Sequence, residues 1–246
     1  MEQKKDVLEI QKELFGKNQS KIKKYTELVV GKPGFVSLLK HELLTTLFAW
    51  IPGALGLFLR SKLYPCLFNH VGRNVSFGTN LVLRHPHKIT IGDNVVIDDN
   101  CLLDAKGSTN KGIVIGSGVF IGRNGILHCK NGDIILKNNV NIGFNCDIAS
   151  SHYVEIGNNV LLAAYAYVVG GGHAFSRSDI PVLEQKRTAQ GIIIGDDVWI
   201  GAGVTVLDGV TVGAKAILGT GAVVTGDISQ QSIAVGIPAK VVKERE

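Results

Sequence analysis

The sequence has 246 residues, long enough for one large domain with an additional segment, and its 30 glycines against a single methionine favour a turn-rich β architecture over a helical bundle. Its four cysteines form no Cys-x-x-Cys pair and its first residues are charged, which argues against a zinc ribbon, a redox motif and a secretory signal peptide; we expect reduced, buried thiols in a cytoplasmic protein. The net charge is +5, and residues 1–40 hold nine lysines against five acids, a balance that fits either nucleic acid or an anionic membrane as partner.

Residues 1–70 differ from the rest of the chain and predict a helical arm. The first part of the arm carries apolar residues at helical spacing, namely Val7, Leu8, Ile10 and Leu14. A turn sequence, Gly-Lys-Pro-Gly at 31–34, then breaks the chain. Residues 43–59 follow without a charge, and they are flanked by Lys40, Arg60 and Lys62.

This uncharged stretch is at the lower limit of length for a membrane span, and Pro52-Gly53 in its middle breaks a straight helix. The pattern favours a pair of interfacial helices, and we expect peripheral membrane contact through residues 35–68, at the inner face of the cytoplasmic membrane. The alternative is a hairpin that packs on its own domain or on a neighbouring subunit. Nucleic acid is not expected as a partner, because no aromatic or arginine-rich pattern accompanies the lysines.

Residues 71–228 repeat a six-residue template, as in IGDNVV at 91–96 and IGDDVW at 194–199. The first position of each hexad is apolar. The hexads fall in trios, and every insertion comes after the third hexad of a trio: Val71, Phe77, Leu83; Ile91, Ile97, Leu103; Ile115, Ile121, Leu127; Leu136, Ile142, Ile148; Ile156, Leu162, Val168; Ile194, Ile200, Val206; Val212, Leu218, Val224. This spacing predicts three-sided coils of eighteen residues that pair as parallel strands around an aliphatic interior.

The predicted fold is therefore mainly β, a parallel β-helix of about seven coils. It carries the N-terminal arm, a protruding loop at 169–193 and a C-terminal tail at 229–246. All insertions are expected to leave the solenoid from one corner.

Polar and titratable side chains collect at this third-hexad corner. They are His85, His87, Asp104, Lys106, His128, Lys130, Ser151, His152 and His173. Such an edge predicts the wall of a binding groove. A metal ion shared by these histidines is a minor alternative. Coils one and four lie about 14 Å apart, so histidines on those two coils are too far apart to bind the same ion. We expect no metal.

The sequence near the C-terminus carries a family resemblance. His173 lies in the long loop before IGDDVWIG at 194–201, and the chain continues to AVGIPAK at 234–240. With the hexad repeat, these motifs resemble the hexapeptide acyltransferase superfamily, in particular the galactoside, maltose and polysaccharide O-acetyltransferases. The resemblance implies a left-handed β-helix and acyl transfer from acetyl-CoA or another acyl-CoA. It also implies that His173 is the general base, which takes the proton of an acceptor hydroxyl as the oxygen attacks the thioester.

The resemblance also places the cofactor contacts. They fall on Ala202, Thr220, Thr225, Gly226, Lys240 and Lys243, with Trp199 beside the groove. The two lysines are expected to meet the phosphates of coenzyme A; the alternative is a solvated basic tail. His173 leaves the solenoid from a different corner than Ala202 and Thr220. We therefore expect a site between adjacent subunits, three per homotrimer, as in the family.

The acceptor contacts depart from the family pattern. The Asn and Asp that hold the acceptor sugar fall on Gly143 and Ser151 here, with Asn145 close by. We expect the acceptor to contact Asn145, Ser151, His152 and His128. The departure and the arm favour a saccharide or lipid-linked saccharide of the cell envelope over a small free galactoside.

Three alternatives remain open at this point. One is transfer of a longer acyl chain, from acyl-CoA or acyl carrier protein, to a membrane lipid or an amine. Another is a non-catalytic β-helix scaffold, which would bind no acyl-CoA. A metal-dependent hydratase is the third, and it would hold zinc.

Overall fold

Three parallel sheets form the faces of a prism in this computed structural model, which describes residues 20–245. The first sheet contains β1 His70–Val71, β4 Ile89–Ile91, β7 Ile113–Ile115, β10 Asp133–Leu136, β13 Tyr153–Ile156, β18 Ile192–Ile194 and β21 Thr211–Val212. The second contains β2 Ser76–Phe77, β5 Val96–Ile97, β8 Phe120–Ile121, β11 Asn141–Ile142, β14 Leu161–Leu162, β19 Trp199–Ile200, β22 Ile217–Leu218, β24 Ser232–Val235 and β25 Lys240–Glu244. The third contains β3 Val82–Arg84, β6 Leu102–Asp104, β9 Ile126–Cys129, β12 Asp147–Ser150, β15 Tyr167–Gly170, β20 Thr205–Leu207 and β23 Val223–Val224.

The interior confirms the hexad prediction. Of the 21 predicted inward positions, all but Val71 are at most 2% exposed. They stack in register from coil to coil, as Leu136 pairs with Ile156 and Ile156 with Ile194. A single coil leaves this aliphatic face in water, so the stacking of coils supplies the burial that stabilises the fold.

Asparagines hold the tight corners of the prism. Asn74, Asn94, Asn139 and Asn159 all have positive φ, which asparagine tolerates better than other residues with a side chain. Their side-chain amides also donate hydrogen bonds to the asparagine of the next coil, from Asn74 to Asn94 at 3.0 Å and from Asn139 to Asn159 at 3.0 Å. The insertions leave from the third corner, between the third sheet and the first, as predicted.

The arm lies on the first coil. It consists of α1 Lys21–Tyr25, a π-helical turn Thr26–Val30, α2 Phe35–Phe48, α3 Gly53–Leu63 and a 3₁₀ turn Tyr64–Leu67. The helices break at Pro52, as predicted, and no helix of residues 20–245 has the length and apolar character to cross a membrane. The predicted helix around Val7–Leu14 lies outside the described residues.

Side chains of the arm cover the carbonyl edge of the first coil. The first coil has no preceding coil to pair with, so the outward backbone groups of its strands, the Phe77 carbonyl among them, face the arm. Arg60 Nε donates to the Phe77 carbonyl at 2.8 Å, and His41 Nε2 donates to the Leu83 carbonyl at 3.2 Å. Arg60 is fully buried, so the sequence-based interpretation of this residue as a membrane-flanking charge was wrong. The arm thus protects an edge that would otherwise pair with another chain.

The C-terminal segment belongs to the solenoid. Residues predicted as a tail form β24, a strand of an eighth coil, and β25, which returns antiparallel along it. This hairpin covers the last coil of the second sheet.

The cysteines are free thiols. Cys101, Cys129 and Cys146 are buried as expected, and burial raises the pKa of Cys101 and of Cys129 to about 12. Cys66 is exposed, contrary to the expectation that all four are buried.

Candidate active site

A pocket of about 1300 Å³ opens at the third corner, where the insertions leave the prism. Side chains from successive coils line it, and they include most of the polar column predicted from the sequence: His85, Asp104, Lys106, His128, Lys130, Ser151, His152 and His173. The arm contributes Glu27 and Gly31 to the same wall. Because these side chains come from equivalent positions of successive coils, together they line one wall of the pocket.

The loop that carries His173 is an ordered hairpin. Gly172–His173 (β16) pairs antiparallel with Arg187–Thr188 (β17), so that His173 stands opposite Arg187. At the tip, the buried Gln185 amide donates to the carbonyls of Arg177 at 2.7 Å and Ile180 at 3.3 Å. These two hydrogen bonds hold the tip of the loop together. Gln185 was not predicted from the sequence.

The loop is anchored at both ends. Gly171 has a φ of +139° and packs so closely on Ser151 that a Cβ would lie 2.6 Å from the Ser151 side chain. At the exit, the carboxylate of Asp208 accepts from the N–H groups of Gln190 at 2.8 Å and Gly191 at 2.9 Å. Glycine is required where the backbone turns away from the coil, because an added side chain meets both strain and contact there.

The imidazole of His173 is half-buried and lines the pocket. Its Nδ1 is buried and has no hydrogen-bond partner among the described residues. A neutral imidazole has one donor and one acceptor nitrogen. The ring therefore has the chemistry to accept a proton, and the described residues give Nδ1 no group that fixes its tautomer.

A second histidine of the pocket is paired with a carboxylate. His128 Nε2 lies 3.2 Å from Asp147 Oδ1, with both side chains on outward positions of the third sheet. Asp104, directly across the ladder from His128, lies 3.6 Å from Arg84 Nη1. Asp147, Arg84 and Arg187 were not predicted from the sequence; the signal for the first two was their outward position on a third-sheet strand.

His85 and His87 lie where the arm contacts the first coil. His85 is 7% exposed and donates from Nε2 to the Glu27 carbonyl at 2.9 Å, and burial lowers its pKa. Burial, with the neighbouring His85 and lysine charges, lowers the pKa of His87 to about 4. Both rings are therefore neutral at neutral pH.

The predicted cofactor residues lie elsewhere on the prism. Ala202 and Thr220 stack on the corner between the second and third sheets, where Gly221 N–H donates to the Ala202 carbonyl at 2.8 Å. Trp199 lies on the second sheet and is 49% exposed. Lys240 and Lys243 are exposed on β25.

Three further predicted residues lie at corners of the prism. Thr225 and Gly226 follow β23 at the last third corner. Asn145, predicted as an acceptor contact, lies beside Asn124 on the corner between the second and third sheets, apart from His128, Ser151 and His152. One chain therefore gathers three of the four acceptor candidates around His173 and leaves the other cofactor candidates, Ala202, Thr220, Trp199, Lys240 and Lys243, on other surfaces.

A metal centre finds no support in the part of the chain that the structure describes. Residues 20–245 contain no group of three His, Cys, Asp or Glu side chains placed to hold an ion.

A protein-family model and several curated proteins each match part of the chain. The family model described as "Bacterial transferase hexapeptide (six repeats)" matches residues 191–226. An Escherichia coli K12 protein named as a lipopolysaccharide biosynthesis O-acetyl transferase (WbbJ) is 31% identical over 151 residues, which are 58% of this chain and 76% of the relative. A Mycobacterium tuberculosis protein named as an acetyltransferase is 35% identical over 132 residues, covering 54% of this chain and less than half, 44%, of the relative.

Solved structures share the fold. AntD, an N-acyltransferase from Bacillus cereus solved with dTDP and 3-hydroxybutyryl-CoA, matches with a TM-score of 0.54 at 21% identity, over 76% of this chain and 88% of the other. The UDP-N-acetylglucosamine acyltransferase from Campylobacter jejuni matches with a TM-score of 0.56 at 21% identity, over 71% of this chain and 62% of the other.

Proposed function

Because the chain belongs to the hexapeptide-repeat acyltransferase family, we propose that it is an acyl-CoA-dependent O-acyltransferase. The acyl group is most simply acetyl, from acetyl-CoA, and the acceptor a saccharide or lipid-linked saccharide of the cell envelope. The E. coli relative is named for lipopolysaccharide O-acetylation, which supports this acceptor class. The observation that carries the proposal is His173, held by an ordered hairpin at the mouth of a polar pocket on a hexapeptide solenoid.

The proposed chemistry needs only groups of this kind. An acceptor hydroxyl binds in the pocket, and the imidazole of His173 takes its proton as the oxygen attacks the thioester carbonyl. Backbone N–H groups suffice to stabilise the oxyanion of the tetrahedral intermediate. Collapse of that intermediate releases coenzyme A as the thiol and leaves the ester on the acceptor. No covalent enzyme intermediate is required, and the buried thiol of Cys129, which lines the pocket, is a poor nucleophile because burial raises its pKa to about 12.

The charge of the pocket supports an anionic acceptor. Basic side chains outnumber acidic ones in its lining; they are Arg84, Lys88, Lys106, Lys130 and Arg187, against Glu27 and Asp104. Lys88 is bonded to Gly107 and Asn110, whereas Lys106 and Lys130 are placed to meet a solvated anion. A phosphate or pyrophosphate that links a sugar to a lipid or a nucleotide matches this charge.

The cofactor is proposed to bind between subunits. Ala202 and Thr220 form part of a groove for the cofactor arm, Trp199 lies beside it, and Lys240 and Lys243 meet the phosphates. Because these residues lie on other surfaces than His173, the complete site needs a neighbouring chain, and we propose a homotrimer with three such sites.

The test is release of free thiol from acetyl-CoA in the presence of envelope extract, with labelled acetyl-CoA to mark the product. We expect acceptor-dependent release by the native chain and a loss of about 10²–10⁴-fold in the His173→Ala variant. His70→Ala is the matched control, since His70 lies exposed on the first strand of the solenoid, and it is expected to retain native activity.

The alternatives predict different results in the same assay. Release only from a longer acyl-CoA or an acyl carrier protein substrate would support transfer of a longer chain, with the exposed apolar arm as the feature that favours a lipid acceptor. Equal release by the native chain and His173→Ala would refute His173 as the base. Absence of acyl-CoA binding by the assembled protein would refute the enzyme and leave a scaffold.

A further inference from the structure

The arm exposes many large hydrophobic side chains. Between residues 35 and 58 the large hydrophobic side chains that are 43–78% exposed are Phe35, Val36, Leu39, Leu43, Leu47, Trp50, Leu55, Leu57 and Phe58. We call this set the apolar face. Exposed hydrophobic residues scattered singly are ordinary on a soluble protein, but nine of them on one pair of short helices indicate an interaction surface.

The solenoid cannot cover the apolar face, because the opposite side of the same helices is already bound to it. His41 and Arg60 donate to first-coil carbonyls, and Leu44 and Phe48 pack against the core. Leu39, Leu43 and Leu47 recur at four-residue spacing, which places them along one side of α2. The face is therefore fixed outward by the contacts that hold the arm.

Basic residues flank the apolar face along the chain. Residues 20–63 contain six lysines and two glutamates besides the buried Arg60; the lysines are Lys21, Lys23, Lys24, Lys32, Lys40 and Lys62. Lys62 Nζ lies 6.0 Å from the Phe58 ring, at the border of the face. An apolar surface with a lysine rim matches the acyl region and the anionic headgroups of a membrane at once.

We propose that residues 35–58 dock on an anionic phospholipid bilayer as a pair of interfacial helices. α2 has 14 residues and α3 has 11, so each is shorter than the ~20 residues that a spanning helix needs. Pairing with the same face of a second copy would bring two lysine rims together, whereas anionic headgroups neutralise the rim. The proposal is independent of the catalytic function.

Docking would also place the third-corner pocket near the lipid surface. Glu27 and Gly31, which immediately precede α2, line that pocket. A lipid-linked acceptor would then reach the pocket from the membrane without leaving it. The expected location at the inner face of the cytoplasmic membrane follows the same reasoning.

The test uses the two tryptophans of the full chain with vesicles of phosphatidylcholine, alone or mixed with phosphatidylglycerol. Trp50 belongs to the apolar face, and Trp199 lies on the solenoid. In a Trp199→Phe protein, lipids brominated on the acyl chain are expected to quench Trp50. In the matched Trp50→Phe protein, the same lipids are expected to leave Trp199 unquenched.

Vesicle flotation measures the strength of binding. The L43S/L47S variant is expected to bind anionic vesicles at least about tenfold more weakly, because two exposed leucines no longer enter the lipid. The V96S/V114S variant removes two valines of similar exposure from the solenoid and should bind within about twofold of the native chain. K32Q and K62Q should each weaken binding about fivefold, and salt should do the same.

Three results would overturn the proposal. Equal binding by L43S/L47S and V96S/V114S would show that the apolar face does not enter lipid. Absence of Trp50 quenching would do the same. Self-association that shields Trp50 without lipid, and that L43S/L47S abolishes, would identify a second copy as the occupant instead.

Discussion

Replacing Arg60 with methionine is expected to release the arm from the solenoid. The guanidinium donates from Nε to the Phe77 carbonyl at 2.8 Å and from Nη1 to the carbonyls of Phe48 at 3.0 Å and Ile51 at 2.7 Å. The Phe77 carbonyl lies on the open edge of the first coil, whereas those of Phe48 and Ile51 lie at the C-terminal end of α2. One side chain therefore caps a sheet edge and a helix end together.

The cost of the substitution follows from the burial of these three acceptors. Methionine fills part of the volume of the arginine side chain but donates no hydrogen bond to these carbonyls. Phe77 is fully buried, so its unpaired carbonyl costs about 1–3 kcal/mol. Phe48 and Ile51 are half-buried and regain water, so each lost bond costs about 0.5–1.5 kcal/mol. The total of about 2–6 kcal/mol is large beside the ~5–15 kcal/mol that holds a typical domain together.

Trp50 reports on the arm, so its fluorescence in a urea titration of the Trp199→Phe protein measures the release. Arg60→Met should move the Trp50 transition to lower urea and separate it from the unfolding of the solenoid, followed by circular dichroism. Arg73→Met is the matched control, because that side chain is 92% exposed and its ion pair with Asp93 contributes at most about 1 kcal/mol. If both variants shifted the Trp50 transition equally, capping of the buried carbonyl would not be what holds the arm.

Two further predictions concern the junction of the arm and the base of the loop. Burial holds the pKa of His87 at about 4 against 6.5 when unfolded, so its contribution to stability is complete above pH 6.5 and is lost as pH falls toward 4. Urea unfolding at about pH 7 and about pH 5 should show a smaller loss in His87→Asn than in the native chain, and an equal loss would contradict the assignment. Gly171→Ala should reduce acyl transfer by more than about tenfold, since its Cβ meets Ser151 at 2.6 Å and its φ is +139°, whereas Gly172→Ala meets only Thr188 at 3.9 Å. Comparable rates for the two alanine variants would argue against a strained loop base.

The sequence predicted those parts of the fold that repeat. A six-residue period places an aliphatic residue inward at each step, and burial rewards every such residue in the same way, so Ile91, Ile115 and Leu136 were recognisable without coordinates. The insertion corner followed from the same count, and with it the column of His128, Ser151, His152 and His173.

Contacts that join the repeat to other elements were not predictable. Arg60 follows an apolar run, a position typical of a charge beside a membrane segment, and only the docked arm shows that it is buried against Phe77. Gln185 lacks a local pattern in the same way, because it bonds to groups brought near by the path of the chain. Asn145 was assigned from its distance in sequence to His173, although the prism turns a corner between them.

The position of the arm bears on how a trimer would meet a membrane. The third sheet separates the corner that carries Ala202 from the corner that carries His173, so the proposed cofactor groove meets His173 only if a neighbouring prism brings its own Ala202 corner to the His173 loop. A closed three-fold arrangement of parallel prisms meets this need at three sites. In such an arrangement all three first coils lie at one end, and the three apolar faces with them. Binding of the first arm would then raise the effective concentration of the other two at the lipid surface, so a trimer docks more tightly than one chain. A variant that remains monomeric should therefore lose vesicle binding and acyl transfer together, whereas L43S/L47S should lose vesicle binding and keep transfer to a soluble acceptor.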